Sequence, residues 1–250
     1  IILDEKADSL FSEVTSIDML GFKANKSYEE ILEKVPNNKE AVDCFFGKIQ
    51  ERKVVLCIMN FKIDSRIELN DGNLMPLFGL GVWRMGPGKE TREAVSHSLE
   101  IGYTHIDTAS MYNNEDDVGQ AILESGIIRD KLFITSKVHS SEMGYDSTLQ
   151  AFENSLKKLR MPYVDLYLIH KPVQVHRQNT WKALEKLKNE GMCRSIGVSN
   201  FSPKHLNEIL QICEFIPSVN QIELNPFLVQ KEIFDFSRTK KIHITGYCPL

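Results

Sequence analysis

The chain has 250 residues, 42% of them hydrophobic and 26% charged, with a formal net charge of −4 and a pI near 6.0. That is enough chain for one large α/β domain, or for a domain plus an appendage. The acidic balance and the lack of any basic run exclude the electrostatic footprint of a nucleic-acid binder or of a protein held to an anionic membrane.

Five cysteines (Cys44, Cys57, Cys193, Cys213, Cys248) are odd in number and show no C-x-x-C pairing. They suggest neither a zinc site nor a disulfide framework, so a reducing, cytoplasmic setting is expected. Residues 1–65 read as a helical extension of unknown role. Ser27-Tyr-Glu-Glu30 is a capping box ahead of Ile31, Leu32 and Val35. Pro36 stops that helix, and Ala41, Val42, Phe45 and Phe46 mark another. The longest fully apolar run, residues 54–59, falls far short of the roughly 20 residues of a membrane helix. The β-rich run 54–61 belongs either to the extension or to a sheet position left empty elsewhere. No secretory segment opens the chain, although its first residue is Ile1 rather than Met.

Residues 66–76 form two strand-like arms around Asn70-Asp71-Gly72, a strong hairpin signal, and such a hairpin could close one end of a barrel. From Leu77 onward, short β-type runs alternate with helical ones, the pattern of βαβ units and a parallel sheet. The expected strands are 77–81, 103–107, 132–137, 164–169, 195–199, 218–222 and 242–247. The expected helices are 89–101, 115–125, 147–160, 179–190, 203–213 and 230–239. In the third helix Leu149, Phe152, Leu156 and Leu159 make one apolar stripe. Ser202-Pro203 reads as an N-cap followed by proline at the first helical position. Gly102 and Gly191 stand where left-handed C-cap residues belong.

Polar residues end or follow successive strands: Asp107, Lys137, His170, Ser199-Asn200, Gln221 and Tyr247. The intervals from Asp107 to Lys137, to His170 and to Asn200 are 30, 33 and 30 residues. One βα repeat has about that length, so these side chains should gather at one barrel mouth, where such folds place their chemistry. Tyr112 lies in the turn after Asp107, just before a helix that opens on Glu115 and Asp116. A phenol ordinarily titrates near 10. A lysine beside Tyr112 is expected to lower that value, and an aspartate to hold the lysine charged and oriented. Such a phenol could protonate an alkoxide as hydride arrives at a carbonyl carbon. A neutral His170 could hydrogen-bond the carbonyl oxygen.

Taken singly, Asp107 reads as a helix cap, Tyr112 as a packed aromatic, Lys137 as a surface charge and His170 as a core-edge histidine. Their joint occurrence at barrel spacing reverses that. Gly79-Leu-Gly81-Val-Trp-Arg84 begins like a dinucleotide fingerprint, but Arg84 holds the place of the third glycine. His97, His176, His205 and His243 stand alone without metal-ligand spacing, so no metal is expected.

Eight ordered blocks resemble the aldo-keto reductases. They are Leu-Asn-Asp-Gly-Asn-Leu-Met-Pro (69–76), Gly-Leu-Gly-Val-Trp (79–83), His-Ile-Asp-Thr-Ala (105–109) and Ile-Thr-Ser-Lys (134–137), followed by Asp-Leu-Tyr-Leu-Ile-His (165–170), Ile-Gly-Val-Ser-Asn-Phe (196–201), Asn-Gln-Ile-Glu-Leu-Asn-Pro (220–226) and Gly-Tyr-Cys-Pro-Leu (246–250). The resemblance implies an α/β fold, a (β/α)8 TIM barrel over 66–250, and NADPH-dependent reduction of aldehydes or ketones, with NADH as the other possible donor. It implies Tyr112 as general acid, Lys137 and Asp107 as its tuning pair, and His170 as the substrate-orienting residue. It further implies that Ser199, Asn200 and Gln221 bind the nicotinamide carboxamide, that Tyr247 stacks on the ring, and that Trp83 lines the substrate pocket. The partner is then a small carbonyl compound, and the complete protein is expected to be a monomer.

Two departures stand out. Many members carry tryptophan where this chain has His139 and Lys171, so a more polar substrate pocket is expected, with His139 part of it. The family also continues past the strand of Tyr247 into a phosphate-binding loop, an eighth strand and a C-terminal substrate loop. The barrel is therefore expected to be truncated after its seventh strand, and these 250 residues alone to bind cofactor weakly or not at all. The competing function is a non-catalytic regulatory or structural subunit of the same fold that uses residues 1–65 for interaction. A third, a barrel isomerase or lyase, would use Lys137 as a Schiff-base former.

Overall fold

The structure, a computed structural model, describes residues 62–225 and 227–249. The expected helices within 1–65, the run 54–61, Cys44 and Cys57 lie outside the described residues.

Strands β1 (Arg66–Glu68) and β2 (Leu74–Pro76) pair antiparallel, with Ile67 opposite Met75. The Leu69 N–H donates to Asn73 O at 2.9 Å and the Gly72 N–H to Leu69 O at 3.0 Å. Gly72 sits at φ 82°, the left-handed conformation that such a turn demands. The hairpin then covers one end of the sheet, as its sequence suggested. Asn70 Nδ2 donates to Pro217 O at 3.0 Å, Asn73 Nδ2 to Arg194 O at 3.0 Å, and Ser218 Oγ and Lys188 Nζ reach Asp71 Oδ2 at 3.0 and 2.8 Å.

Seven strands follow in one parallel sheet: β3 (Leu80–Gly81), β4 (His105–Asp107), β5 (Phe133–Val138), β6 (Val164–Ile169), β7 (Cys193–Ser199), β8 (Val219–Glu223) and β9 (His243–Tyr247). Each pairs with the next in sequence, from β3 through to β9. Helices α1 (Lys89–Glu100), α2 (Glu115–Ser125), α3 (Tyr145–Leu159), α4 (Arg177–Asn189), α5 (Pro203–Leu210) and α6 (Lys231–Thr239) make the crossovers. This is the topology of a (β/α)8 barrel, with seven of its strands among the described residues.

Every residue of β5 and β6 is buried, which is why these strands read as nearly continuous apolar runs. The two-residue period sorts them. Phe133, Leu166 and Leu168 pack with Leu69 and Met75 of the hairpin, on the inner side of the sheet. Ile134, Val138, Tyr167 and Ile169 pack with Phe152, Leu159, Trp181 and Leu184 of the helices, on the outer side. Thr135 and Lys137 continue the inner series of Phe133 and lead toward the C-terminal mouth.

The expected stripe of α3 holds, with Phe152, Leu156 and Leu159 buried and Leu149 partly so. Pro203 opens α5, and Gly102 and Gly191 take φ 100° and 73°. Three elements are shorter than expected by two residues or more, the strand over 103–107 being His105–Asp107. The strand expected over 77–81 is reduced to Leu80–Gly81, the two residues that pair with Ile106 and Asp107 of β4. The helix expected to reach 213 stops at Leu210.

Candidate active site

The polar residues singled out at the strand ends converge. Asp107 ends β4, Lys137 lies in β5, His170 follows β6, Ser199 ends β7, Asn200 comes next, Gln221 lies in β8 and Tyr247 ends β9. Tyr112 closes a 3-10 turn, Ser110–Tyr112, whose cap Asn113 is left-handed at φ 56°. Asn114 anchors the chain beyond that turn by accepting from Thr108 Oγ1 at 2.9 Å and donating to Val82 O at 3.0 Å.

Lys137 is the hub and has no solvent exposure. Its ammonium donates to Asp107 Oδ1 at 2.5 Å, to Thr108 O at 2.9 Å and to Tyr112 Oη at 3.4 Å. It also lies 5.1 Å from the centre of the Tyr112 ring. The His170 ring meets Tyr112 edge to face, with centroids 5.6 Å apart. The four residues therefore form one contiguous cluster.

The remaining residues extend it. Gln221 Nε2 donates to the other oxygen of Asp107 at 2.8 Å. Ser199 Oγ donates to Gln221 O at 2.8 Å. Asn200, held at φ 63°, donates through Nδ2 to His170 O at 3.1 Å and to Ser199 Oγ at 3.0 Å. Tyr247 Oη donates to Asn200 Oδ1 at 2.8 Å. A chain of polar contacts thus runs from Tyr247 on β9 to Tyr112 beside β4.

Burial pushes the pKa of His170 down to about 4, helped by the Lys137 charge and opposed by Asp107, with Lys171 and His139 adding to the depression. A buried imidazole beside an ammonium is neutral at ordinary pH. The phenol of Tyr112 departs from the sequence expectation. It is raised above its ordinary value, first by burial, then by the charges of Asp107 and Cys248. Burial is the first cause, and the Asp107 charge adds to it although the Lys137 ammonium lies 3.4 Å from the phenol.

Trp83 follows β3, is 45% exposed, and carries the Arg84 guanidinium 4.3 Å over its ring. His139 follows β5 and shares a hydrogen bond with Ser141 Oγ at 2.8 Å. Neither residue has a hydrogen bond to the four-residue cluster. Two neighbours of the site, Ser110 and Glu142, escape sequence reasoning. Isolated polar residues in loops carry no periodic or motif signal, and only their contact across two loops reveals them.

At the C-terminal mouth of this parallel barrel a phenol, an ion-paired ammonium and a neutral imidazole meet. The model of the aldo/keto reductase family matches residues 78–250, and the chain belongs to that family. It is 46% identical over 192 residues to the glyoxal reductase of Bacillus subtilis (strain 168), covering 77% of this chain and 70% of that protein. It is 48% identical over 184 residues to the 9,11-endoperoxide prostaglandin H2 reductase of Trypanosoma cruzi (strain CL Brener), covering 74% of this chain but only 65% of that relative. Among solved structures, an aldo/keto reductase from Brucella melitensis superposes with a TM-score of 0.72 at 46% identity, over 74% of this chain and 73% of that one. A Bombyx mori aldo-keto reductase in complex with NADP gives 0.70 at 35% identity, over 74% and 66%.

Proposed function

We propose that the protein reduces aldehydes or ketones to alcohols, with NADPH as hydride donor and Tyr112 as general acid. The observation that carries this reading is the buried Lys137 ammonium shared between Asp107 at 2.5 Å and Tyr112 at 3.4 Å. A purely structural role gives no reason to hold a fully buried charge against a phenol at the mouth of a barrel. The same ion pair disfavours Lys137 as a Schiff-base former, which would have to give up its proton beside a carboxylate.

The residues at the mouth suit a nicotinamide. The side-chain amides of Asn200 and Gln221 and the hydroxyl of Ser199 offer the donors and acceptors that a carboxamide needs, and the half-buried Tyr247 offers a ring to stack against. When bound, the reduced nicotinamide supplies the hydride. Solved relatives carrying NADP and NADPH support the phosphorylated cofactor.

This chain's own residues then handle the oxygen. His170, neutral, orients the carbonyl by a hydrogen bond. Tyr112, protonated at ordinary pH and kept so by burial, gives its proton to the oxygen as charge develops there. An alkoxide is a far stronger base than a phenolate, so the transfer runs downhill. Lys137 stabilises the phenolate left behind, and Asp107 keeps Lys137 charged. Trp83 and His139 flank the approach of the substrate. Relatives named glyoxal reductase and methylglyoxal reductase point to small dicarbonyls as the first substrates to try. The test is loss of reduced-nicotinamide absorbance when the full-length protein meets glyoxal or methylglyoxal. Alcohol should appear in equal amount, and failure to oxidise cofactor with any aldehyde or ketone would refute the proposal.

A further inference from the structure

We infer that Glu142 and Ser110 are positioning residues that clamp the Tyr112 turn to the strand carrying Lys137. The inference rests on the reading of Tyr112 as proton donor. Tyr112 rides on a single 3-10 turn none of whose residues is fully buried. The turn's own backbone bonds are few: the Tyr112 N–H to Ala109 O at 3.0 Å and the Asn113 N–H to Ser110 O at 3.5 Å. At 3.4 Å the contact between Tyr112 and Lys137 is too long to fix the phenol by itself. Asn114 anchors the chain beyond the turn, and a second anchor lies on the side toward Lys137.

Ser110, the first residue of the turn, donates from Oγ to Glu142 Oε2 at 2.7 Å and lies 3.2 Å from Lys137 O. The same Glu142 oxygen accepts the His139 N–H at 3.1 Å. Glu142 ends its own 3-10 turn, Ser140–Glu142, and its carbonyl accepts from Thr148 Oγ1 of α3 at 3.3 Å. One carboxyl oxygen thus ties the loop after β4, which carries the phenol, to the loop after β5, whose strand carries the ammonium. The clamp also fixes the backbone of His139, so acid and pocket side chain share a single anchor. Proton transfer needs its partners at hydrogen-bond distance, and a displacement of about 1 Å can cost on the order of 100-fold in rate. A Gln oxygen at this position could accept both hydrogen bonds, whereas Ala could accept neither.

The test uses the full-length protein with 3-fluorotyrosine placed at position 112, read by fluorine NMR and by steady-state kinetics. E142A and S110A should shift or split the single wild-type resonance and lower kcat by about 10-fold, with the KM for cofactor unchanged. E142Q should keep the wild-type resonance and stay within about twofold of the wild-type kcat. If E142A does not fold, S110A removes only one half-buried hydroxyl and carries the same expectation. An unmoved resonance with unchanged kcat in both variants overturns the inference, as does a loss in E142Q as large as that in E142A. A fully active Y112F would instead overturn the underlying reading of the general acid, whatever the clamp variants do to the resonance.

Discussion

Replacing Lys137 by Met tests how tightly the ion pair at the heart of the site is built. The substitution keeps most of the aliphatic stem and removes a fully buried ammonium that serves three acceptors. Asp107 would keep only the Gln221 amide at 2.8 Å among the described side chains, and Thr108 O would lose its donor. Orphaning one member of a buried pair costs about 3 to 5 kcal/mol. For a domain of this size that lowers Tm by about 6 to 20 °C. Asp107→Asn should also destabilise, since it leaves the ammonium with neutral partners only. The double variant removes the mismatch, so the two costs should fall short of adding by about 2 to 3 kcal/mol. Guanidinium unfolding, followed by the fluorescence of the buried Trp181 and by circular dichroism, measures all four proteins. Costs that add to within about 0.5 kcal/mol would refute the coupling.

Other consequences come from burial and close approach. His105, buried against Thr135 Oγ1 at 2.9 Å, has its pKa pushed down by burial from 6.5 to about 4. Its contribution to stability is therefore complete above pH 6.5 and lost as pH falls toward 4, by about 2 kcal/mol at pH 5. His105→Gln should flatten that acid limb in a pH series of unfolding curves, and an unchanged slope would contradict it. A Cβ on Gly119 would lie 2.5 Å from the backbone oxygen of Leu159, so Gly119→Ala must push α2 off the end of α3. It should lower stability by about 1 to 3 kcal/mol in denaturant titration. With His170 neutral above about pH 4 and the Tyr112 phenol raised above 10, kcat/KM for carbonyl reduction should show no ionisation between these limits. An acid limb centred near 6.5 that persists in a His139→Gln variant would mean that His170 is not desolvated as described.

Much of this architecture was readable in one dimension because periodicity survives without coordinates. Helix α2 falls on the residues its acidic first turn announced, and β6 on its apolar run. The near-constant interval between Asp107, Lys137, His170 and Asn200 brought them to one mouth, since each βα unit returns the chain to the same end of the sheet. What the sequence did not disclose depends on depth and on contacts across loops. The direction of the Tyr112 shift turns on how far the phenol is desolvated and on how close the Asp107 charge comes to it. Neither quantity has a pattern in the sequence. The bond between Ser110 and Glu142 joins two loops 32 residues apart and obeys no repeat. The shortness of β3 reflects how few of its residues pair with β4, which its apolar composition could not reveal.

The central claim is that Tyr112 delivers the proton when a carbonyl is reduced. Tyr112→Phe in the full-length protein, assayed by single-turnover reduction and by cofactor titration, tests it most directly. Reduction should fall by at least about 100-fold while the Kd for cofactor stays within about twofold of wild type. A Phe variant that reduces aldehydes at the wild-type rate would contradict the account.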